Sequence, residues 1–156
     1  KNLAKKYYDV SFKSNFSFSK LSQNLNAVLD ESNLDISTAI AKNTKKNILD
    51  GVSPALKEST LRQRREGKTS FDDHPTKKTP GETRPLYYSK RLFNSIKGTK
   101  EGLEIMDYYE EHEKGFSGTH GNVPARPFVA QIQDNKEDLN KVQSSIVNRI
   151  EKVMKK

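Results

Sequence analysis

The chain has 156 residues, of which 32% are hydrophobic and 31% are charged, and its formal net charge is +8. This length fits one domain of ordinary size, and the low hydrophobic share predicts a modest core. The absence of cysteine excludes a disulfide framework and a cysteine-ligated zinc site. Because no apolar run approaches the ~20 residues that span a bilayer, we expect no membrane partner.

The N-terminal segment, residues 1–18, is polar with scattered aromatic side chains. Phe12, Phe16 and Phe18 fall on one face of an extended chain, which is the pattern of a strand. The pattern predicts either an edge strand or an arm that orders on contact with another subunit. Residues 19–156 are predicted to form a single domain.

Helical periodicity follows the N-terminal segment. Apolar residues recur at helical spacing over 21–29 and again over 36–48, and we predict a break between the two helices at Ser32-Asn33. Asp50-Gly51 is predicted to end the second helix.

A third helix and a long loop come next. Proline suits the first turn of a helix, so Pro54 predicts a strongly basic helix from Ser53 to about Arg65. Residues 66–85 are polar and rich in proline and glycine, and they form the clearest loop of the chain. A loop of this length in a small domain is usually functional or disordered.

The second half mixes short elements with one long helix. We predict a short helix over 88–96, a hairpin from 96 to 105 that turns at 100–102, a glycine-rich loop over 115–122 and an amphipathic helix over 138–154. The predicted fold class is therefore α+β, with a small antiparallel sheet packed against N-terminal and C-terminal helices.

Catalytic chemistry is poorly represented in the sequence. The acidic run Glu110, Glu111, His112 and Glu113, together with His120, has no familiar metal-ligand spacing, and we interpret it as an exposed acidic turn. The serines lack a nucleophile-elbow context, and the glycines do not form a phosphate-binding loop. We therefore predict that the protein is not an enzyme and has no metal and no cofactor.

The strongest physicochemical feature is a basic tract over residues 57–91. Its predicted contact residues are Arg62, Arg64, Arg65, Lys68, Lys77, Lys78, Arg84 and Arg91. One interpretation is salt-sensitive, nonspecific binding of nucleic-acid phosphates. The other is a solvated surface, or a patch that meets an acidic neighbouring subunit.

Two motifs are typical of packing rather than chemistry. In 85–96, Pro85 and Leu86 lead into a helix that directs Leu92 and Ile96 inward. In 123–128, two prolines, Pro124 and Pro127, hold the chain extended around Arg126 and direct Phe128 to an apolar site. We expect Arg126 to be structural, with a bidentate contact to a carboxylate as one possible role.

These residues resemble the phage virion morphogenesis family, the tail-completion or neck proteins of tailed phages. The similar segments occur in the family's order: Ser59-Thr60-Leu61-Arg62 with Arg64; Pro85-Leu86, Ser89-Lys90-Arg91-Leu92 and Asn94-Ser95-Ile96; Tyr108, Tyr109, His112 and Gly115; and Pro124-Ala125-Arg126-Pro127-Phe128. The resemblance covers the chain from about residue 20 onward. In one departure, Ser89-Lys90 stands where Thr-Gly is common in the family.

The resemblance implies a structural virion protein at the head–tail joint. It implies a homo-oligomeric ring, a hexamer or a higher multiple, which makes a tail competent to join a DNA-filled head. The implied partners are neck, connector, tail-terminator or tail-tube proteins, with possible contact to DNA in the channel. The implied location is the virion, and the host cytoplasm during assembly. The alternative function is nonspecific nucleic-acid binding through the tract 57–91.

Overall fold

The computed structural model describes residues 17–66, 82–118 and 121–155. The α-helices are α1 Phe18–Asp50, α2 Glu58–Arg65, α3 Arg91–Ser95, α4 Tyr109–Lys114 and α5 Lys136–Met154, and a 3-10 turn covers Ile132–Asp134. The strands are β1 Lys97–Thr99, β2 Gly102–Glu104, β3 Phe116–Gly118 and β4 Gly121–Val123. The predicted α+β class is confirmed, and the antiparallel sheet takes the form of two separate hairpins, β1–β2 and β3–β4.

Two predicted segments fall partly outside the described residues. Of the predicted N-terminal arm or strand, residues 1–16 lie outside them, whereas Ser17 caps α1 and Phe18 begins it. Of the predicted loop 66–85, residues 67–81 lie outside them, and with them Lys68, Lys77 and Lys78.

Helix α1 is a single helix of 33 residues, so the predicted break at Ser32-Asn33 is wrong. Ser32 is buried, and its hydroxyl donates to the carbonyl oxygen of Val28 at 2.6 Å. The side chain therefore satisfies its hydrogen bond inside the helix instead of competing with it. The predicted end of the helix is confirmed, because Gly51 follows Asp50 with a φ of 92°.

Helix α2 begins at Glu58, so the prediction of a helix from Ser53 is wrong. The Ser53-Pro54 peptide bond is cis. The carbonyl oxygen of Pro54 accepts a hydrogen bond from Arg126 Nε at 2.9 Å. In a helix this oxygen would accept from the amide four residues later, so the contact with Arg126 replaces the first helical hydrogen bond.

Helix α3 covers five residues of the predicted 88–96, because Lys90 before it has a left-handed φ of 58°. The hairpin that follows is confirmed, with Lys97 opposite Glu104. This hairpin packs against α1 closely enough for the Ser37 hydroxyl to donate to the carbonyl oxygen of Thr99 at 2.6 Å.

Three more differences concern the last third of the chain. Helix α4 forms where we predicted an exposed acidic turn, and the predicted loop 115–122 contains the hairpin β3–β4. Helix α5 begins two residues before the predicted start, because the Asn135 side chain accepts from the backbone amides of Glu137 and Asp138 and caps it.

Helix α1 lies between two packing layers. On one side is the hydrophobic core, formed by the buried residues Ala41, Ile48, Val52, Leu92, Ile96 and Phe128. On the other side α5 runs antiparallel to α1. The Asp138 carboxylate at its start accepts from Lys42 Nζ at 3.1 Å, and Arg149 near its end pairs with Asp35 at 2.7 Å.

Candidate functional site

The segment 124–130, here called the proline segment, is an extended chain attached to α4 on one side. The backbone amide of Arg126 donates to the carbonyl oxygen of His112 at 2.7 Å. The amides of Phe128 and Val129 both donate to Oε1 of Glu113, at 2.8 and 2.5 Å. A carboxylate that accepts two backbone amides makes stronger hydrogen bonds than a neutral group would.

Helix α1 holds the other side of the proline segment. The side-chain amide of Asn47 donates to the carbonyl oxygen of Phe128 at 3.0 Å. The backbone amide of Ala130 donates to the Thr44 hydroxyl, also at 3.0 Å. Since Phe128 is almost fully buried in the core, these contacts satisfy backbone groups that water cannot reach.

Gly115 lets the proline segment approach the end of α4. Its φ is 73°, a conformation that favours glycine. A Cβ atom here would lie 2.6 Å from the amide nitrogen of Ala125 and 2.8 Å from the carbonyl oxygen of Val123. Any other residue would therefore push the proline segment away from α4.

Arg126 joins the proline segment to the chain before α2. It is 7% exposed, and besides the bond to Pro54 its Nη1 donates to the carbonyl oxygen of Pro124 at 3.5 Å. These partners are backbone carbonyl groups, so the predicted bidentate contact with a carboxylate is wrong. Burial lowers the pKa of Arg126.

His112 lies under the same segment. Its ring makes edge contacts with Tyr108 and Phe116, at centroid distances of 5.7 and 6.3 Å. Burial, and next the positive charge of Arg126, lowers the pKa of His112, and its Nδ1 has no hydrogen-bond partner among the described residues.

The acidic run of the sequence, Glu110 to Glu113, lies in α4, where we predicted no metal site. Within residues 17–66, 82–118 and 121–155, no three His, Asp or Glu side chains are grouped as a metal site would require. His120, which completes the acidic run of the sequence, lies outside the described residues.

The first packing motif meets the second in the core. Leu92, Ile96 and Phe128 are buried in one cluster, and Leu86 packs against it. The inward direction predicted for Leu92 and Ile96 is therefore confirmed, as is the apolar site predicted for Phe128.

Arg64 in the basic tract faces inward. Its Nη1 donates to the carbonyl oxygens of Glu82 and Arg84, at 3.1 and 3.0 Å. Its guanidinium carbon also lies 4.8 Å from the ring centre of Tyr88. Burial lowers the pKa of Arg64, and the nearby Glu82 opposes that shift. Arg64 thus connects α2 to the chain that leads into α3.

Arg84 is also engaged within the chain. Its guanidinium contacts both carboxylate oxygens of Glu82, at 2.7 and 2.6 Å, and lies 4.2 Å from the ring centre of Tyr87. The hydrogen bond from Arg84 lowers the pKa of Glu82 to about 2. Glu82 therefore stays ionised and neutralises Arg84 over the whole physiological range.

The remaining described members of the tract are more accessible. Arg65 pairs with Glu58, and Arg62 Nε lies 4.0 Å from a carboxylate oxygen of Glu66; the side chains of both arginines are mostly exposed. Arg91 is partly exposed. The structure therefore divides the predicted set into Arg64 and Arg84, whose guanidinium groups bind other parts of the chain, and Arg62 and Arg65 on α2, whose side chains are exposed.

Sequence reasoning missed the polar side chains that hold the proline segment and α5. Glu113 was interpreted as part of an exposed acidic turn. The sequence places Thr44 on the stripe of the predicted helix 36–48, and Asp138 only at the start of the predicted helix 138–154. Asp138 is buried, accepts from Lys42, Asn43 and Asn135, and has a lowered pKa, chiefly because of the Lys42 hydrogen bond. A polar residue within the apolar stripe of a helix was the available signal for Thr44.

Comparisons with protein-family profiles, curated proteins and solved structures found no match to this chain. None of the helices in the described part of the chain combines the length and apolarity needed to cross a bilayer.

Proposed function

We propose that this chain is a structural protein of a tailed-bacteriophage particle, located at the head–tail joint as a tail-completion or neck protein. In this proposal it assembles as a ring around the axis of the joint. It meets neighbouring neck, connector, tail-terminator or tail-tube proteins and performs no catalysis.

The observation that carries the proposal is the convergence of the resembling segments. His112 and Gly115 of one segment hold the proline segment, through a backbone hydrogen bond and a close approach. Leu92 and Ile96 of another segment share the core with Phe128. Residues that resemble one family and also form one connected framework are expected if the chain shares that family's fold.

The backbone at Lys90 adds support at the point where the sequence departs from the family pattern. Lys90 stands where glycine is common, and its φ of 58° lies in the left-handed region. Non-glycine residues adopt this region infrequently, whereas glycine adopts it readily. A glycine at this position, as is common in the family that the chain resembles, would adopt the same backbone conformation readily.

The alternative, nonspecific nucleic-acid binding, draws less support from the same side chains. Two of its predicted contact residues, Arg64 and Arg84, use their guanidinium groups within the chain. A phosphate-binding surface would need these groups directed at solvent. The outward Arg62 and Arg65 fit an acidic neighbouring subunit equally well.

The test is deletion of the gene from the phage genome that carries it, followed by electron microscopy of the lysate. We expect DNA-filled heads to accumulate beside separate tails, and expression of the intact gene from a plasmid to restore joined particles. Complete particles in the deletion strain would refute the proposal, and DNA retardation by the purified protein would then favour the alternative.

A further inference from the structure

Exposed apolar side chains gather at one end of the α1–α5 pair. On α1 they are Leu25 and Leu29, and on α5 they are Val147, Ile150 and Met154. Leu29 is 60% exposed and Met154 is 68% exposed. Large apolar residues scattered singly are ordinary on a surface, but a contiguous group marks a contact site.

Helix geometry places these side chains on one side of the pair. Leu29 directly follows the buried Val28, and Met154 directly follows the half-buried Val153. One residue corresponds to a rotation of about 100° around a helix axis. Because α1 and α5 are antiparallel, a step of one residue from the side that faces the other helix turns toward the same face of the pair on both helices. Leu29 and Met154 therefore lie on the same face.

The ion pairs between α1 and α5 show which residues of the two helices lie opposite each other. Arg149 contacts Glu31 at 3.0 Å and Asp35 at 2.7 Å, and α5 continues to Met154 toward the N-terminal end of α1. Met154 is therefore roughly level with 25–29 of α1, at a rise of about 1.5 Å per residue. We call the surface formed by Leu25, Leu29, Val147, Ile150 and Met154 the apolar groove.

The groove is bordered by uncharged polar residues at its inner end. By the same rotation, Asn33 follows the buried Ser32, and Gln143 follows the buried Val142. An apolar floor that ends in uncharged polar groups suits a segment in which aromatic side chains stand among polar ones.

We propose that the apolar groove is the docking site of the chain's own residues 1–16. This segment contains four of the thirteen aromatic residues, Tyr7, Tyr8, Phe12 and Phe16. It joins α1 at Ser17, at the same end of the pair as the groove. Aromatic side chains bury more apolar area than other residues, which makes them effective anchors.

Length agrees with this occupant. Ser17 to Ile36 along α1 is about 29 Å, and an extended chain of 16 residues reaches up to ~50 Å. A tethered segment has a high effective concentration, which favours its own groove over that of a second copy. The proposal is independent of the proposed function.

The test uses the full chain, in which any engineered cysteine pair is the only pair because the natural sequence has none. Ser14→Cys with Met154→Cys places one thiol in the segment and one in the groove. The matched control, Ser14→Cys with Lys152→Cys, moves the second thiol to the opposite side of the pair, since Lys152 precedes Val153. All three substituted positions leave the aromatic anchors intact.

With a short bismaleimide we expect the in-chain product of the Met154 pair to exceed that of the Lys152 pair about fivefold, as for a mostly docked segment. Adding Leu29→Gln, which removes apolar area from the groove at an exposed position, should bring the two yields together. Equal yields from the start, an unchanged ratio with Leu29→Gln, or a product that links two chains would each overturn the proposal. The last result would assign the groove to a second copy.

Discussion

At the scale of single residues, the backbone of the proline segment depends on side chains that belong to distant parts of the sequence. Glu113 supplies one carboxylate oxygen to two successive amides, and Thr44 supplies a hydroxyl to a third. An extended segment between helices has no strand partner, so each buried amide needs such an acceptor. Gly115 then allows the segment to come close enough for these bonds to form.

Gly115→Ala should destabilise the protein by about 2–4 kcal/mol, because the substitution combines left-handed strain with a clash against Ala125. The measurement is the free energy of unfolding from urea titration. Gly51→Ala is the matched control, since Gly51 also has a positive φ but a Cβ added there would meet no atom within 4 Å, so it should lose about 1 kcal/mol. Equal losses would show that the close approach adds nothing.

At the scale of elements, α2 depends on Arg64. The helix has no fully buried residue, and within the described part of the chain its long-range hydrogen bonds run through Arg64 to the carbonyl oxygens of Glu82 and Arg84. A short helix of this kind is not stable alone, because its packing supplies most of its stability. Arg64 therefore decides whether α2 stays attached.

Arg64→Ala should release α2, at a cost of about 2–3 kcal/mol for the lost charged hydrogen bonds. Hydrogen exchange measured by mass spectrometry should show faster exchange of the amides of α2 while those of α1 stay protected. Arg62→Ala on the same helix is the control and should stay within about 0.5 kcal/mol, since Arg62 is exposed. Unchanged protection of α2 in Arg64→Ala would contradict the assigned role.

At the scale of the whole molecule, the net charge of +8 is not spread evenly among accessible groups. Arg64 and Arg84 hold parts of the chain together, while Arg62 and Arg65 form ion pairs with Glu66 and Glu58 at exposed positions that a partner can reach. Reversal of all three α2 arginines would therefore mix an assembly defect with a folding defect. Only the outward pair tests assembly.

Arg62→Glu combined with Arg65→Glu should leave the unfolding free energy within about 1 kcal/mol of the wild type, since exposed ion pairs contribute little. In the proposed virion role, this variant should fail to restore joined particles to the deletion strain. Lys141→Glu, another exposed reversal but on α5, serves as the control for charge alone. Normal plaque numbers with the double variant would show that Arg62 and Arg65 of α2 are not needed for assembly.

The sequence by itself determined the fold class, the hairpin β1–β2, the end of α1 at Gly51 and the inward direction of Leu92, Ile96 and Phe128. Periodicity, glycine and proline are local signals, and these features depend on local preferences. The tertiary structure alone decided the continuity of α1, the late start of α2 and the partners of Arg64, Arg126 and Glu113. The start of α2 and the partners of Arg64, Arg126 and Glu113 depend on hydrogen bonds to residues remote in sequence, and the continuity of α1 depends on the burial of Ser32. Both conditions exist only after the chain has folded.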